Sequence, residues 1–184
     1  SKVQYVVKGY NFKRLGYDYS GSMKVLLNIL DSDYFWQEIR VKGGAYGSFS
    51  EISANGNMAF MSFDDPNLKE TLNVFDNTVE YLKKFKADER EMTNFIIGTI
   101  GSMDAPKGPW DKGKTSDRYY ISGITQGNIQ KERDEILKTT AEDIRRYAVM
   151  IDKIMKSDYY CVVGDKTKLQ NNKIIFRNLV DVYR

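Results

Sequence analysis

Two adjacent glycines, Gly43 and Gly44, separate an apolar helical pattern from an alternating strand pattern within the stretch Glu38 to Gly47. Glycine tolerates positive φ and close backbone approach, so the pair predicts a sharp reversal. That reversal brings Arg40, near a helix end, towards Tyr46, at a strand start. A guanidinium and a phenol on one rim offer hydrogen-bond donors at neutral pH, and suit a carbonyl, a carboxylate or a phosphate. A plainer reading stands beside this one. Arg40 caps the helix C-terminus, where cations are favourable, and Tyr46 is a half-buried strand residue.

The patterns on either side fix the rest. Val3, Tyr5 and Val7 alternate with Gln4, Val6 and Lys8 and predict a strand. Gly9 to Gly21 reads as a loop. Met23, Leu26, Leu27 and Leu30 recur at helical spacing. Asp31-Ser32-Asp33 interrupts that helix, and a second piece runs from Tyr34 to Ile39. Tyr46 to Ser53 and Met58 to Phe63 read as strands joined by the hairpin signal Asn55-Gly56-Asn57. Asp65-Pro66 makes an N-cap and first-turn pair for a helix bearing Leu68, Leu72, Phe75, Val79 and Leu82.

Further along, Asp88 and Glu91 form a capping box for a helix with Met92, Phe95, Ile96 and Ile100 inward. Gly98 and Gly101 within it predict close packing against a neighbour. Pro106 to Lys114 reads as an irregular connector. Thr125 and Thr140 open two more helices. The second carries Ile144, Tyr147, Ala148, Ile151 and Met155. Tyr159 to Val163 has strand length, and Ile174 to Val182 predicts a final helix. Helices grouped after a hairpin indicate an α+β class, a largely antiparallel sheet with helices packed on one side. Regular strand-helix alternation, needed for a doubly wound parallel sheet, is missing.

Composition narrows the function. The chain has 184 residues, 41% hydrophobic and 29% charged, with a net charge of +3, an ordinary globular balance without a concentrated basic stripe. Nucleic-acid and membrane partners are therefore not expected; the segment from Tyr119-Tyr120 through Lys131 to Arg133 reads as an ordinary helix surface. No apolar run approaches the ~20 residues of a membrane span, so the chain is expected to be soluble, in a compartment the sequence leaves unknown. There is no histidine, which excludes a Ser-His-Asp triad, a Cys-His pair and any His-ligated metal site within the chain. The lone Cys161 reads as a small buried hydrophobe. In the pair Asp64-Asp65, cap duty for Asp65 is read in preference to a metal site. Ser1 leads directly into a strand pattern, as expected of a segment from a longer protein.

The wording of the motifs carries a resemblance. Tyr34-Phe35-Trp36-Gln37-Glu38-Ile39-Arg40-Val41-Lys42-Gly43-Gly44-Ala45-Tyr46-Gly47 resembles the most distinctive stretch in the last domain of insulinase-like (pitrilysin) zinc metallopeptidases of the presequence-protease subgroup. Ser62-Phe63-Asp64-Asp65-Pro66-Asn67-Leu68, Ile96-Ile97-Gly98-Thr99-Ile100 with Asp104-Ala105-Pro106, Arg133-Asp134-Glu135-Ile136-Leu137, Thr140-Ala141-Glu142-Asp143-Ile144 and Val162-Val163-Gly164-Asp165 are similar to its later blocks, in order. The resemblance implies a metallopeptidase-like (LuxS/processing-peptidase-like) fold for residues 1–184, as one C-terminal domain of a multi-domain endopeptidase. The partners it implies are the remaining domains of the polypeptide and an unfolded peptide enclosed by two halves.

It further implies that zinc, on an inverted His-x-x-Glu-His motif plus a distal Glu, belongs to the first domain, so this segment has no cofactor and is inactive alone. Arg40 and Tyr46 match the family's Arg and Tyr that reach the substrate backbone, and Gly43, Gly44 and Ala45 match its substrate-facing turn. Asp64 departs from the pattern, standing where relatives carry Arg. The alternative reading is a non-catalytic scaffold or peptide-binding domain of an inactive family member.

Overall fold

The computed structural model describes residues 2–181. Strands β1 (Gln4–Asn11), β2 (Gly47–Ile52), β3 (Asn57–Asp65) and β4 (Tyr160–Gly164) form one sheet in the order β2-β3-β1-β4, antiparallel at every pairing. Seven α-helices are found among the described residues: α1 (Ser22–Ile29), α2 (Lys69–Lys84), α3 (Glu89–Met103), α4 (Pro109–Ile121), α5 (Gln126–Leu137), α6 (Ala141–Lys156) and α7 (Lys166–Asn171). The expected α+β architecture is the one observed.

Alternation along the strands gives the sheet two unlike faces. Gln4, Val6, Lys8, Met58, Phe60 and Ser62 are buried on the helix side. Val6, Met58 and Phe60 join Leu26, Ile29, Phe35, Phe75, Ile144 and Ile151 in one core. Phe35, Phe60 and Phe75 meet with ring centroids 4.9–5.8 Å apart. Lys8 is buried among them, and its Nζ reaches Asp76 at 2.7 Å and Asp158 at 3.3 Å. On the opposite face the register aligns Phe49, Met61, Val7 and Cys161 in one row, and Tyr5 opposite Val163. Tyr5, Phe49, Cys161 and Val163 are exposed there.

That second face corrects the expectation for Cys161. Its apolar run suggested burial on both sides, but β4 is an edge strand covered on one side only. Other local expectations change as well. The helix is not interrupted at Asp31-Ser32-Asp33: it continues from α1 as a widened π-helical stretch, Leu30–Tyr34, followed by a second, Trp36–Lys42. The Ser32 hydroxyl donates to the Asn28 carbonyl at 2.6 Å, so this poor helix former is held inside the helix. Asp65 does not cap α2, whose N-cap is Leu68. Its carboxylate accepts from the Asn67 N–H at 2.8 Å and the Thr71 hydroxyl at 2.6 Å, anchoring the turn before the helix. Within the predicted connector, α4 starts at Pro109, because proline at the first helical position lacks only an N–H that would be unpaired anyway. Ile174 to Asp181 contain no α-helix, only the end of a 3₁₀ turn, Lys173–Ile175, while Val182 lies outside the described residues.

The loop expected from Gly9 is also shorter, since β1 continues to Asn11 and a 3₁₀ turn, Phe12–Leu15, follows. Capping boxes form at Asp88/Glu91, Thr125/Asn128 and Thr140/Asp143. A Cβ at Gly98 would stand 3.1 Å from the Asn28 side chain, consistent with close packing, whereas Gly101 has open space around it.

Asp31 sits in the first π-helical stretch with its Oδ1 buried and without a hydrogen-bond partner, as is Ser50 Oγ. Burial pushes its carboxyl up to about 6, and Ser50 nearby offsets only part of this. The native state thus holds this proton to higher pH than the unfolded chain. The stability from this group is full below pH ~4 and is lost as pH rises through ~6. Asp31→Asn cannot ionise. It is expected to raise the melting midpoint by about 3–6 °C at pH 7.5, corresponding to ~1–2 kcal/mol, and to give no gain at pH 4. Thermal melts of both proteins at the two pH values check this.

Candidate functional site

The second π-helical stretch ends in the glycine turn. Gly44 takes φ +76°, its N–H donates to the Arg40 carbonyl at 3.0 Å, and the Ala45 N–H donates to the Ile39 carbonyl at 3.1 Å. A left-handed residue just past the last turn is a common helix stop, and glycine adopts it without steric cost. The Gly43 carbonyl accepts from the Asn67 side chain at 2.5 Å, tying the turn to the segment before α2. Ala45 is buried, while Gly44 is exposed. The turn is therefore braced on three sides before Tyr46 enters the sheet.

The reversal brings Arg40 and Tyr46 together. Arg40 Nη1 donates to the Tyr46 carbonyl at 2.7 Å, and its guanidinium carbon lies 5.7 Å from the Tyr46 ring centroid. On its other side the guanidinium lies 4.5 Å from the Trp36 ring centroid. Such stacking fixes a planar cation while leaving its other N–H groups in water. Tyr46 is 66% exposed, and its hydroxyl has no hydrogen-bond partner among the described residues. The half-buried strand residue of the plainer reading is thus an exposed ring on the rim of the sheet's open face. Arg40 serves the turn through its guanidinium, not as a simple helix cap.

Phe63 supports the Tyr46 ring. Gly47 pairs with Phe63 across β2 and β3, and a Cβ at Gly47 would come within 2.5 Å of the Phe63 ring. With no side chain at 47, Phe63 lies over the strand and meets Tyr46 at 5.5 Å and Phe49 at 6.0 Å, both edge-on. The Asp64 carbonyl then accepts from the Tyr46 N–H at 3.3 Å. Asp64 has φ +45°, in the left-handed region, and its carboxylate accepts from the Tyr5 hydroxyl at 2.9 Å. That hydrogen bond, then the carboxylate's charge, raises the Tyr5 phenol above its ordinary value. Asp64 thus has a place at this rim, bound to Tyr5.

Trp36 and Phe63 were not singled out from sequence, although both were signalled. Trp36 lies four residues before Arg40 on one helix. The hairpin about Asn55 places position 63 opposite Gly47. Among the described residues, no group of three or more His, Cys, Asp or Glu side chains converges as a metal site would require.

An antiparallel four-stranded sheet with helices on one face, and Arg40 beside Tyr46 at the rim of the other, defines an α+β domain. The family model described as the PreP C-terminal domain matches residues 1–167. The chain belongs to that family, among the homologues of M16 (pitrilysin) presequence proteases. It is 47% identical over 182 residues to Protein HypA of Clostridium perfringens, covering 99% of this chain and 19% of that protein. It is 37% identical over 153 residues to Presequence protease 1, chloroplastic/mitochondrial, of Arabidopsis thaliana, covering 83% of this chain and 14% of that protein. The chain therefore spans less than a fifth of the length of either relative. Among solved structures, pitrilysin superposes with a TM-score of 0.62 at 16% identity, over 88% of this chain and 18% of that one, a likeness of fold. No helix among the described residues is long and apolar enough to cross a membrane.

Proposed function

We propose that residues 1–184 form the single C-terminal domain of a larger zinc endopeptidase, and that this domain clamps unfolded peptide in a closed chamber. The observation that carries the reading is the Arg40–Tyr46 pair: two donors on one exposed rim, one stacked and hydrogen-bonded into place, the other with an uncommitted hydroxyl. The remaining guanidinium N–H groups and the phenol donate to backbone carbonyls of the bound peptide at the scissile bond. Donors already in place need no reorganisation when the attacked carbonyl gains negative charge. The substrate backbone passes beside the turn at Gly43 and Gly44, where Gly44 is exposed and open, with Ala45 buried beneath it as the turn's anchor. The open sheet face, with Val7, Phe49, Met61 and Val163, receives apolar side chains of the peptide.

Zinc, which activates water in such enzymes, does not fit this chain, which has no histidine. It belongs to another domain of the polypeptide, and the roles given to Arg40 and Tyr46 stand without a step through it. The segment alone is inactive, and the other domains supply the hydrolytic machinery. Turnover of a fluorogenic peptide by the full-length protein tests the reading. Tyr46→Phe removes one exposed donor and keeps the ring, so kcat should fall at least ~10-fold with the melting midpoint unmoved. Unchanged kcat removes Tyr46 from the role. A full-length protein that binds peptide without cleaving it supports a non-catalytic scaffold instead.

A further inference from the structure

Helix α4 buries none of its residues, unlike every other helix of eight or more residues among those described. Thr115 and Tyr119, four apart, are half-buried on the flank turned to the body, where Tyr119 lines a cleft with Tyr19 and Glu132. The other flank carries Trp110, Tyr120 and Ile121, which are 75%, 89% and 82% exposed. At about 100° per residue, Trp110 and Ile121 project within ~20° of each other and Tyr120 lies ~80° to one side. A surface helix normally turns its apolar stripe to the core. Here the largest apolar side chains point away, and a group of this kind marks an interaction surface.

We infer that this flank of α4 docks against another domain of the same longer polypeptide. The chain spans 19% and 14% of two relatives, so most of the length of such proteins lies outside these residues. Tryptophan, tyrosine and isoleucine on one flank suit the dry centre of a packed interface. The helix mixes Lys112, Lys114 and Arg118 with Asp111 and Asp117, which argues against a polyanion as occupant. The inference rests on the reading of this chain as one domain of a larger protein, and is independent of the roles of Arg40 and Tyr46.

Maleimide labelling of the full-length protein tests it. A cysteine at position 114 (Lys114→Cys) lies between Trp110 and Ile121 and leaves both intact. Its labelling rate, read by mass spectrometry of that peptide, is compared with the rate in denaturant. Docking predicts at least tenfold protection, independent of protein concentration, and lost when Trp110→Glu and Ile121→Glu are added. Labelling as fast as in denaturant overturns the inference. Protection that appears only as concentration rises places a second copy on this face and also overturns it. Peptide turnover, measured on the protein with Lys114 intact, reads the functional assignment separately.

Discussion

Arg40→Ala in the full-length protein is expected to lower kcat by about 10²–10³-fold, the usual cost of removing a donor aimed at developing negative charge. The effect should exceed that of Tyr46→Phe, because the guanidinium also holds the Tyr46 carbonyl at 2.7 Å and stacks on Trp36. Its loss removes one donor and loosens the other. Arg40→Lys keeps the charge but not the planar fork, so it should recover little of the rate. Arg40 is exposed, and its removal should shift the melting midpoint by no more than about 4 °C. Steady-state kinetics at saturating peptide, with thermal melts, separate the two effects. Wild-type kcat in Arg40→Ala would sink the assigned role.

Phe35→Ala should be the most damaging core change near the site. Phe35 is fully buried and meets Phe60 and Phe75 edge-on at 4.9 and 5.6 Å. Truncating a buried phenylalanine typically costs ~3–5 kcal/mol through lost transfer energy and the cavity left behind. For a chain of this length that is a fall on the order of 10 °C in melting midpoint. Phe35 also lies between the two π-helical stretches, so the cavity opens beneath the helix that carries Arg40. A denaturant or thermal melt of the 184-residue chain measures the loss, and a midpoint within 2–3 °C of wild type would contradict this account of the core.

The sequence revealed most where local rules and tertiary packing agree. Period-2 alternation in Val3–Val7 and Met58–Phe63 survives because one face of the sheet is covered. The capping box at Asp88/Glu91 and the cap at Thr140 survive because their bonds are local. The Gly43-Gly44 reversal was legible for the same reason, and with it the approach of Arg40 to Tyr46. Long-range geometry was less readable. Cys161 is exposed because it lies on the sheet face the helices leave open, which only the tertiary arrangement decides. Asp65 looked like a cap until Thr71 and Asn67 took its oxygens. The widened helix at Asp31 has no distinctive composition, and Asp-Ser-Asp read as a break. Trp36 and Phe63 support the site through contacts, which single-residue chemistry does not announce.

The contact of Gly47 with Phe63 ties two positions sixteen residues apart into one unit of inheritance. A side chain can arise at 47 only if the ring at 63 shrinks or swings away, and either change takes the edge-on support from Tyr46. Neither position can drift alone, so a lineage keeping the glycine and the aromatic together keeps the tyrosine's footing.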